Sequence, residues 1–321
     1  MKAILIERYG GTEVFLSKEI TPPQIKKNEI LVQVYACGLN PVDYKIRGGF
    51  LKDLFPVSFP HILGGDISGK VKAIGNDVHD FKIGDEVYFS NPLDKNGGYA
   101  ELCAVNAEIV AHKPKSLSYV QSAALPVAGL TSIQALGDFS KIQPGQKVLI
   151  HAGAGGVGSF AIQYAKHMGA KVYTTTSREN HSYVYELGAD VAIDYRKEDF
   201  VSICQNEGGM DIVLESIGGD NYFRSVLATH TGGFVPCIVN PPDVKTRELA
   251  LQKKITTDFF LLTSRRKDLD EITKMIESQK IRPLNTKTLS LDGIVRAHEQ
   301  LESGRTRGKL VLEIQQESLH R

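Results

Sequence analysis

Lys147-Val148-Leu149-Ile150-His151-Ala152 runs directly into Gly153-Ala154-Gly155-Gly156-Val157-Gly158, and apolar residues then recur at helical spacing. The apolar run predicts a buried strand, and the glycines predict a tight turn that opens a helix. In a dinucleotide-binding turn, the first glycine permits the turn, the second admits a pyrophosphate, and the third lets the helix pack on the strand. Gly153, Gly155, Gly156, Val157 and Gly158 are therefore candidate cofactor-binding residues, with a plain strand-to-helix turn as the alternative.

Strands and helices go on alternating after this motif. Four further strands are predicted near residues 171–175, 191–195, 211–215 and 234–239. Three intervening helices are predicted near 179–187, 196–206 and 219–229. Strands that alternate with helices of about ten residues are typical of a parallel, doubly wound sheet. The sequence therefore predicts the α/β class.

The segments on either side have a different character. Residues 1 to about 125 carry short apolar runs separated by Gly, Pro, Asn and Asp, which predicts strands and tight turns. Two amphipathic helices near 267–278 and 291–303 and a strand near 309–314 follow the α/β region. This tail is short for a third domain, so we expect it to complete the first.

Composition and charge limit the function classes. Lys and Arg number 38 against 37 Asp and Glu, so the net charge of +1 gives no field for gathering nucleic acid or anionic membrane. The four cysteines form no CxxC pair, which indicates reduced thiols. No apolar run approaches the ~20 residues of a membrane span, and no signal peptide is apparent at the N-terminus. We expect a cytoplasmic protein with no membrane partner and without nucleic acid as its main partner.

The residues after the second predicted strand favour one dinucleotide. NAD-binding proteins place a carboxylate about 20 residues after the glycine motif, where it accepts hydrogen bonds from the ribose 2′-OH. Ser177 and Arg178 stand at that point, and a hydroxyl with a guanidinium suits a 2′-phosphate. NADPH is therefore the predicted cofactor. Alternatively, Arg178 is a solvated arginine, with Glu179 as the nearest competing carboxylate.

Seven segments resemble the medium-chain dehydrogenase/reductase superfamily, and within it the zinc-free NADPH:quinone oxidoreductases related to zeta-crystallin. They span almost the whole chain and are Gly38-Leu39-Asn40-Pro41-Val42-Asp43, Leu63 to Val71, Gly84-Asp85-Glu86-Val87, Gly98-Tyr99-Ala100-Glu101, Ala124-Leu125-Pro126 with Leu130-Thr131, the glycine motif, and Gly308-Lys309-Leu310-Val311-Leu312. The resemblance implies a GroES-like β-barrel catalytic domain at 1–125, a Rossmann NADPH-binding domain at 126–262, and a C-terminal return at 263–321 that completes the first domain.

The same resemblance bears on metal binding. Zinc-containing relatives bind catalytic zinc through Cys, His and Glu at three positions that are Asn40, Gly65 and Asp66 here. One potential ligand of three cannot fix a catalytic zinc, which needs at least three protein ligands. Only Cys103 lies where the structural zinc would need four cysteines. We therefore predict no metal.

Without a metal to acidify an alcohol, hydride delivery to an electron-poor quinone or enone needs only alignment and a hydrogen bond to the oxygen that gains charge. The resemblance implies that Asn40 makes that contact, that Asp43 orients its loop and that Tyr44 lines the cleft. Asn40 as an Asn-Pro turn former and Asp43 as a local turn cap are the alternatives.

Further cofactor contacts are implied by the resemblance alone. They are Thr131 and Asn240 with Val239 near the nicotinamide, Phe259 and Phe260 in a segment that faces it, and Tyr195 near the adenosine phosphate. Each also has an ordinary structural interpretation, such as a helix-interior threonine or buried strand aromatics.

The predicted function is NADPH-dependent reduction of quinones or related enones. A 2-alkenal or enoyl double-bond reductase is the alternative within the enzymes, and an NADPH-binding regulatory protein without turnover is the alternative outside them. A homodimer is expected through edge strands near 234–239 and 255–262.

Overall fold

A computed structural model describes residues 1–315 of the chain. Its fifteen strands are β1 (Lys2–Leu5), β2 (Leu16–Glu19), β3 (Glu29–Gly38), β4 (Asp66–Ile74), β5 (Glu86–Ser90), β6 (Leu102–Asn106), β7 (Ala111–His112), β8 (Lys147–Ile150), β9 (Lys171–Thr176), β10 (Val191–Asp194), β11 (Met210–Leu214), β12 (Thr229–Cys237), β13 (Thr256–Phe259), β14 (Thr286–Ser290) and β15 (Lys309–Glu313). Its ten α-helices are α1 (Pro41–Arg47), α2 (Tyr119–Ala123), α3 (Pro126–Ile133), α4 (Gly156–His167), α5 (His181–Glu186), α6 (Phe200–Asn206), α7 (Asp220–Ala228), α8 (Val244–Gln252), α9 (Arg266–Glu277) and α10 (Ile294–Glu302).

The chain divides into two compact units. Among the described residues, the first, called here the barrel unit, comprises 1–127, 264–279 and 283–315, and the second, the nucleotide unit, comprises 128–263 and 280–282. The C-terminal tail thus belongs with the N-terminal third, except for three residues that group with the nucleotide unit.

The barrel unit is organised around the long strand β3. On one side β3 pairs antiparallel with β4 from Ile30 to Gly38, and on the other side it pairs with β6 and then with β15. Alternate residues of β3, among them Ile30, Val32 and Val34, are buried, as expected for a sheet with one face in a core. The C-terminal strand β15 is therefore hydrogen-bonded beside the end of β3.

The nucleotide unit contains a six-stranded parallel sheet in the order β10-β9-β8-β11-β12-β13. Val148, Leu149 and Ile150 of β8 are all buried, which is usual for a strand in the middle of a covered parallel sheet. The predicted α/β class is confirmed. Strand order reverses between β8 and β11, and parallel sheets bind ligands at the carboxyl ends of strands at such a point.

Two expectations about this unit need correction. The helix expected to begin near residue 196 begins at Phe200, because Asp199 caps it by accepting from the N–H groups of Val201 and Ser202. The segment 234–239 is not an edge, since β12 pairs with β11 on one side and with β13 on the other. Only β13, of the two segments expected to pair across a dimer, lies at the edge of the sheet.

Candidate active site

The side-chain amide of Asn40 lies in a buried cluster with Lys309 and Asp66. Lys309 Nζ donates to Asn40 Oδ1 at 2.6 Å and to Asp66 Oδ2 at 3.0 Å, and Asn40 Nδ2 donates to Asp66 Oδ2 at 2.9 Å. Because an ammonium group has only donors and a carboxylate only acceptors, the amide can take one orientation. One Nδ2 hydrogen is left to donate to a further acceptor.

The register of the barrel unit's sheet brings these three residues together. Asn40 follows β3, while Asp66 and Lys309 open β4 and β15, the two strands that flank the end of β3. Gly38 pairs with Asp66 on one side and with Val311 on the other. Residues that are 269 positions apart in the chain are therefore in hydrogen-bond contact.

Asp43 lies on α1, directly behind Asn40. Its Oδ2 accepts from the backbone N–H of Asn40 at 2.8 Å and from the Tyr99 hydroxyl at 3.2 Å. Burial of the side chain, which is 1% exposed, raises the pKa of Asp43 to about 7. The predicted residues Asn40 and Asp43 are thus in contact. Tyr44 is half-buried on the same helix, and burial raises the pKa of its phenol.

Four residues of this region were not singled out as functional from the sequence. They are Lys309, Tyr99, His298 and Arg47, and each is at least nine-tenths buried. A lysine at the start of an otherwise apolar strand, Lys309-Leu310-Val311-Leu312, is a signal that could have identified the first. Tyr99 lies in a segment that resembles the family, Gly98-Tyr99-Ala100-Glu101, whereas Arg47 and His298 carry no local pattern.

Metal binding was tested on the side chains present. Within residues 1–315, no group of three or more His, Cys, Asp or Glu side chains is placed to hold a metal ion. Asn40 and Gly65 offer no thiolate or imidazole, and the Lys309 ammonium already pairs with Asp66. The absence of zinc from the protein stays a prediction.

The glycine turn of the nucleotide unit has the geometry that a pyrophosphate needs. A Cβ on Gly153 would collide with the Thr174 hydroxyl, and one on Gly158 would collide with the carbonyl oxygen of Ala152. A Cβ on Gly155, by contrast, would have only the Ala152 oxygen nearby, at 3.3 Å. Gly155 is also the N-cap of α4, whose first-turn N–H groups have no partner within the helix. These residues fit a dinucleotide cofactor.

The ends of β9 and β10 carry the candidate 2′-phosphate residues. Ser177 and Arg178 follow β9, and the Arg178 guanidinium donates to His181 Nδ1 at 3.4 Å. Tyr195 follows β10, and its backbone N–H donates to the carbonyl of Thr176, which places it beside the same strand end.

The carboxylate that could compete for a ribose hydroxyl there is already paired. Glu179 lies 3.3 Å from Arg196, whose guanidinium stacks over the Tyr195 ring at 5.5 Å. Hydrogen bonds within its own turn, from its backbone N–H and from the Ser177 side chain, lower the pKa of Glu179, and the Arg196 guanidinium adds to this effect. The two arginines here, Arg178 and Arg196, outnumber the one carboxylate, Glu179, which is already paired with Arg196. This charge balance suits a phosphate group.

The remaining candidates lie within the same unit. Thr131 is a buried residue of α3, and Val239 and Asn240 follow β12. Asn240 Nδ2 donates to the carbonyl of Pro241 at 2.8 Å. Phe259 ends β13, and the Phe260 ring packs edge-on against Phe139. Their contacts with a cofactor stay predictions.

In the part of the chain that the structure describes, no helix combines the length and apolar character needed to cross a bilayer.

A Rossmann sheet with a glycine turn at its switch point, joined in one chain to a strand-rich unit with a buried Asn-Lys-Asp cluster, defines a dinucleotide-dependent oxidoreductase. Two family models match: one described as an alcohol dehydrogenase GroES-like domain, at residues 26–115, and one described as a zinc-binding dehydrogenase, at residues 187–312.

Individual relatives cover nearly the whole chain. The 2-methylene-furan-3-one reductase of Solanum lycopersicum is 35% identical, over 97% of this chain and 79% of that protein. The quinone oxidoreductase of Coxiella burnetii is 36% identical with a TM-score of 0.88, over 98% of this chain and 99% of that one. The Escherichia coli quinone oxidoreductase complexed with NADPH is 30% identical with a TM-score of 0.88, over 98% and 100%. The chain belongs to the zinc-free quinone oxidoreductases of the medium-chain dehydrogenase/reductase superfamily, and it is an enzyme.

Proposed function

We propose that the protein transfers hydride from NADPH to a quinone or to an enone whose C=C bond is conjugated to a carbonyl. The observation that carries this proposal is the Asn40 amide, which Lys309 and Asp66 fix so that one N–H remains free to donate. A pre-oriented donor in a buried site stabilises negative charge that develops on an acceptor oxygen. NADPH, when bound, supplies the hydride.

The donor set favours an acceptor that is already electron-poor. Asn40 and Gly65 stand where zinc-containing relatives have ligands, and the cation beside Asp66 is an ammonium group. A single amide N–H can stabilise a quinol or enolate oxygen as charge arrives. It cannot remove the proton of an unactivated alcohol, because a neutral amide is not a base.

The relatives support both acceptor classes. The tomato protein is named for a ketone that carries a conjugated exocyclic C=C bond, and the two bacterial proteins are named quinone oxidoreductases. In either class, hydride addition leaves charge on an oxygen and a proton must follow. The same Asn40 contact therefore serves both, and an alkenal or enoyl double-bond reductase stays the alternative.

The cofactor preference rests on the nucleotide unit. Ser177 and Arg178 offer a hydroxyl and a guanidinium for a 2′-phosphate, and the Glu179 carboxylate forms an ion pair with Arg196. We assign cofactor binding to this unit and the reduction site to the barrel unit, with Gly153, Gly155 and Gly158 shaping the pyrophosphate turn.

An acceptor panel tests the proposal. NADPH oxidation is followed with benzoquinones, naphthoquinones, alkenals and cyclic enones, and kcat/KM is compared for wild type, Asn40→Ala and the exposed control Asn28→Ala. We expect turnover of at least one class, a loss of about 10- to 100-fold in kcat/KM for Asn40→Ala, and no change for Asn28→Ala. Binding of NADPH without turnover of any acceptor would support the regulatory alternative instead.

We further propose that the protein forms a homodimer. The outer strand β13 leaves one edge unpaired within its sheet, and Leu261 beyond it is 50% exposed, which favours a homodimer through β13. Light scattering that gives twice the 35.3 kDa chain mass would agree, and a monomer at micromolar concentration would count against it. The cytoplasmic location stays a prediction.

A further inference from the structure

A second set of buried polar side chains leads away from Asp43 through the barrel unit. The Tyr99 hydroxyl is 3.2 Å from Asp43 Oδ2 and 3.1 Å from His298 Nε2. His298 Nδ1 is 3.0 Å from Arg47 NH1. Tyr99 and His298 are fully buried, and Arg47 is 4% exposed. The proposed reduction does not yet give any of these three a role.

The chemistry of these side chains fixes the direction of every hydrogen bond in the series from Arg47 to Asp43. A guanidinium only donates, so His298 Nδ1 must accept from Arg47 and carries no proton. The neutral ring then has its proton on Nε2 and donates it to the Tyr99 oxygen. The Tyr99 proton is thereby directed to Asp43, which also receives the backbone N–H of Asn40.

Burying these polar side chains costs free energy, which argues for a role beyond packing. Burial and the neighbouring Arg47 lower the pKa of His298 to about 3, so the imidazole is neutral over the whole working range. An apolar residue of similar volume would fill the same space without burying four polar groups. Arg47 is also anchored, since it donates to the carbonyl of Gly10 and pairs with Glu302 at 2.7 Å.

We propose that Arg47, His298 and Tyr99 are positioning residues that direct a permanent hydrogen bond onto Asp43 and so hold Asn40 in its working position. This inference rests on the proposed function for its kinetic consequences, but the hydrogen-bond chain itself does not. Asp43 receives both donors on one oxygen, which draws the Asn40 backbone toward α1 while Lys309 and Asp66 orient its side chain.

The charge environment of Asp43 makes the proposal measurable. Besides Tyr99, the titratable and charged groups that face or line the space around this carboxyl are Asp66 on β4, Lys309 on β15, Cys37 on β3, His61 and Lys95. Asp66 raises the pKa of Asp43, whereas Lys309 and the bonds from Asn40 and Tyr99 lower it. Burial raises the pKa of the Cys37 thiol well above its usual range, so that group stays neutral. Removing the Tyr99 hydroxyl therefore raises the pKa of Asp43.

The test compares Tyr99→Phe with Tyr88→Phe. Tyr88 is an equally buried tyrosine of the same unit. Its hydroxyl donates to the Leu269 carbonyl and takes no part in the hydrogen bonds that lead to Asp43. A rise of about one unit from a pKa near 7 cuts the ionised fraction of Asp43 about fivefold at pH 7 and hardly at all at pH 9. We expect Tyr99→Phe to lose about fivefold in kcat at pH 7, to regain it at pH 9 and to keep its KM for NADPH, while Tyr88→Phe keeps the wild-type profile.

A second pair of variants tests the direction of the bonds. The amide of His298→Gln can accept from Arg47 and donate to Tyr99, whereas His298→Met can do neither. We expect His298→Gln to keep most of the wild-type pH profile and His298→Met to behave like Tyr99→Phe. Equal profiles for Tyr99→Phe and Tyr88→Phe, or for the two His298 variants, would overturn the proposal.

A measurement without turnover separates this inference from the proposed function. The carboxyl ¹³C shift of Asp43 is titrated in wild type and in Tyr99→Phe. A higher midpoint in the variant supports the proposed hydrogen bond from Tyr99 to Asp43, even if the protein reduces no quinone or enone. An unchanged midpoint refutes it, even if the protein does reduce one.

Discussion

Replacing Lys309 with Met is expected to destabilise the barrel unit strongly, because it leaves a buried carboxylate without its counter-charge. Lys309 Nζ lies 3.0 Å from Asp66 Oδ2, and the two side chains are 5% and 0% exposed. Removing one partner of a buried ion pair costs about 3–5 kcal/mol. At roughly 2–4 °C per kcal/mol for a unit of this size, the melting temperature should fall by about 10 °C.

Two comparisons isolate the cause. Lys171→Met breaks the exposed pair with Glu207, whose side chains are 47% and 43% exposed, and pairs of this kind contribute at most about 1 kcal/mol. The double variant Lys309→Met with Asp66→Asn removes both buried charges and should recover much of the lost stability. Calorimetry or thermal melts followed by circular dichroism measure all three.

The same substitution has a kinetic consequence. Without the ammonium group, Asn40 Oδ1 loses its donor, and only the bond from Nδ2 to Asp66 still orients the amide. We expect kcat to fall while KM for NADPH stays within about twofold. A melting temperature no lower than that of Lys171→Met, or a double variant no more stable than Lys309→Met, would refute the reasoning.

Three further predictions concern cofactor, metal and pH. Arg178→Ala should lower kcat/KM about 10- to 100-fold for NADPH and leave NADH unchanged, since hydrogen bonds to charged groups contribute about 1.5–3 kcal/mol; adding Ser177→Asp should then favour NADH, and an equal loss with both cofactors would place the phosphate elsewhere. Elemental analysis should find no stoichiometric zinc, and activity should persist in a strong chelator; one zinc per chain lost together with activity would contradict this. Asp43, whose pKa is raised from 3.8 to about 7, binds a proton in the folded protein that the unfolded chain has released, so its contribution should lower stability as pH rises from about 4 to 7. The pKa of His298 is lowered from 6.5 to about 3, so the unfolded chain binds a proton that the folded protein does not. The contribution of His298 should therefore lower stability as pH falls from about 6.5 to about 3. Thermal melts across pH should show Asp43→Asn losing the first dependence, and an unchanged profile would count against a buried Asp43.

The α/β architecture could be predicted because its signals are local. The apolar run of β8, the glycines after it and the spacing of strands and helices are each visible within a few residues. The start of α6 was predicted too early because the capping bonds of Asp199 outweigh the helical pattern before it. The interior position of β12 was also missed, since strand order depends on pairing between distant segments.

The candidate site was predicted only in part for the same reason. Asn40 and Asp43 were found because they are close in sequence within a segment that resembles the family. Lys309 and His298 join them only through the pairing of β3 with β4 and β15 and through the packing of α10 near α1. Tyr99 joins them through backbone hydrogen bonds with Ile4 and Leu63. Such contacts across more than 50 residues leave no periodic trace in the sequence.

Transfer of deuterium from NADPH that carries deuterium at both C4 positions tests the central claim most directly. A cyclic enone is reduced by the wild-type protein in the presence of a strong chelator, and the product is examined by mass spectrometry and NMR. We expect one deuterium at the β-carbon and one solvent proton at the α-carbon of each enone product molecule, and oxidation of the same labelled NADPH when a quinone replaces the enone as acceptor. No reduction of any enone or quinone, or a product whose β-hydrogen comes from water, would contradict it.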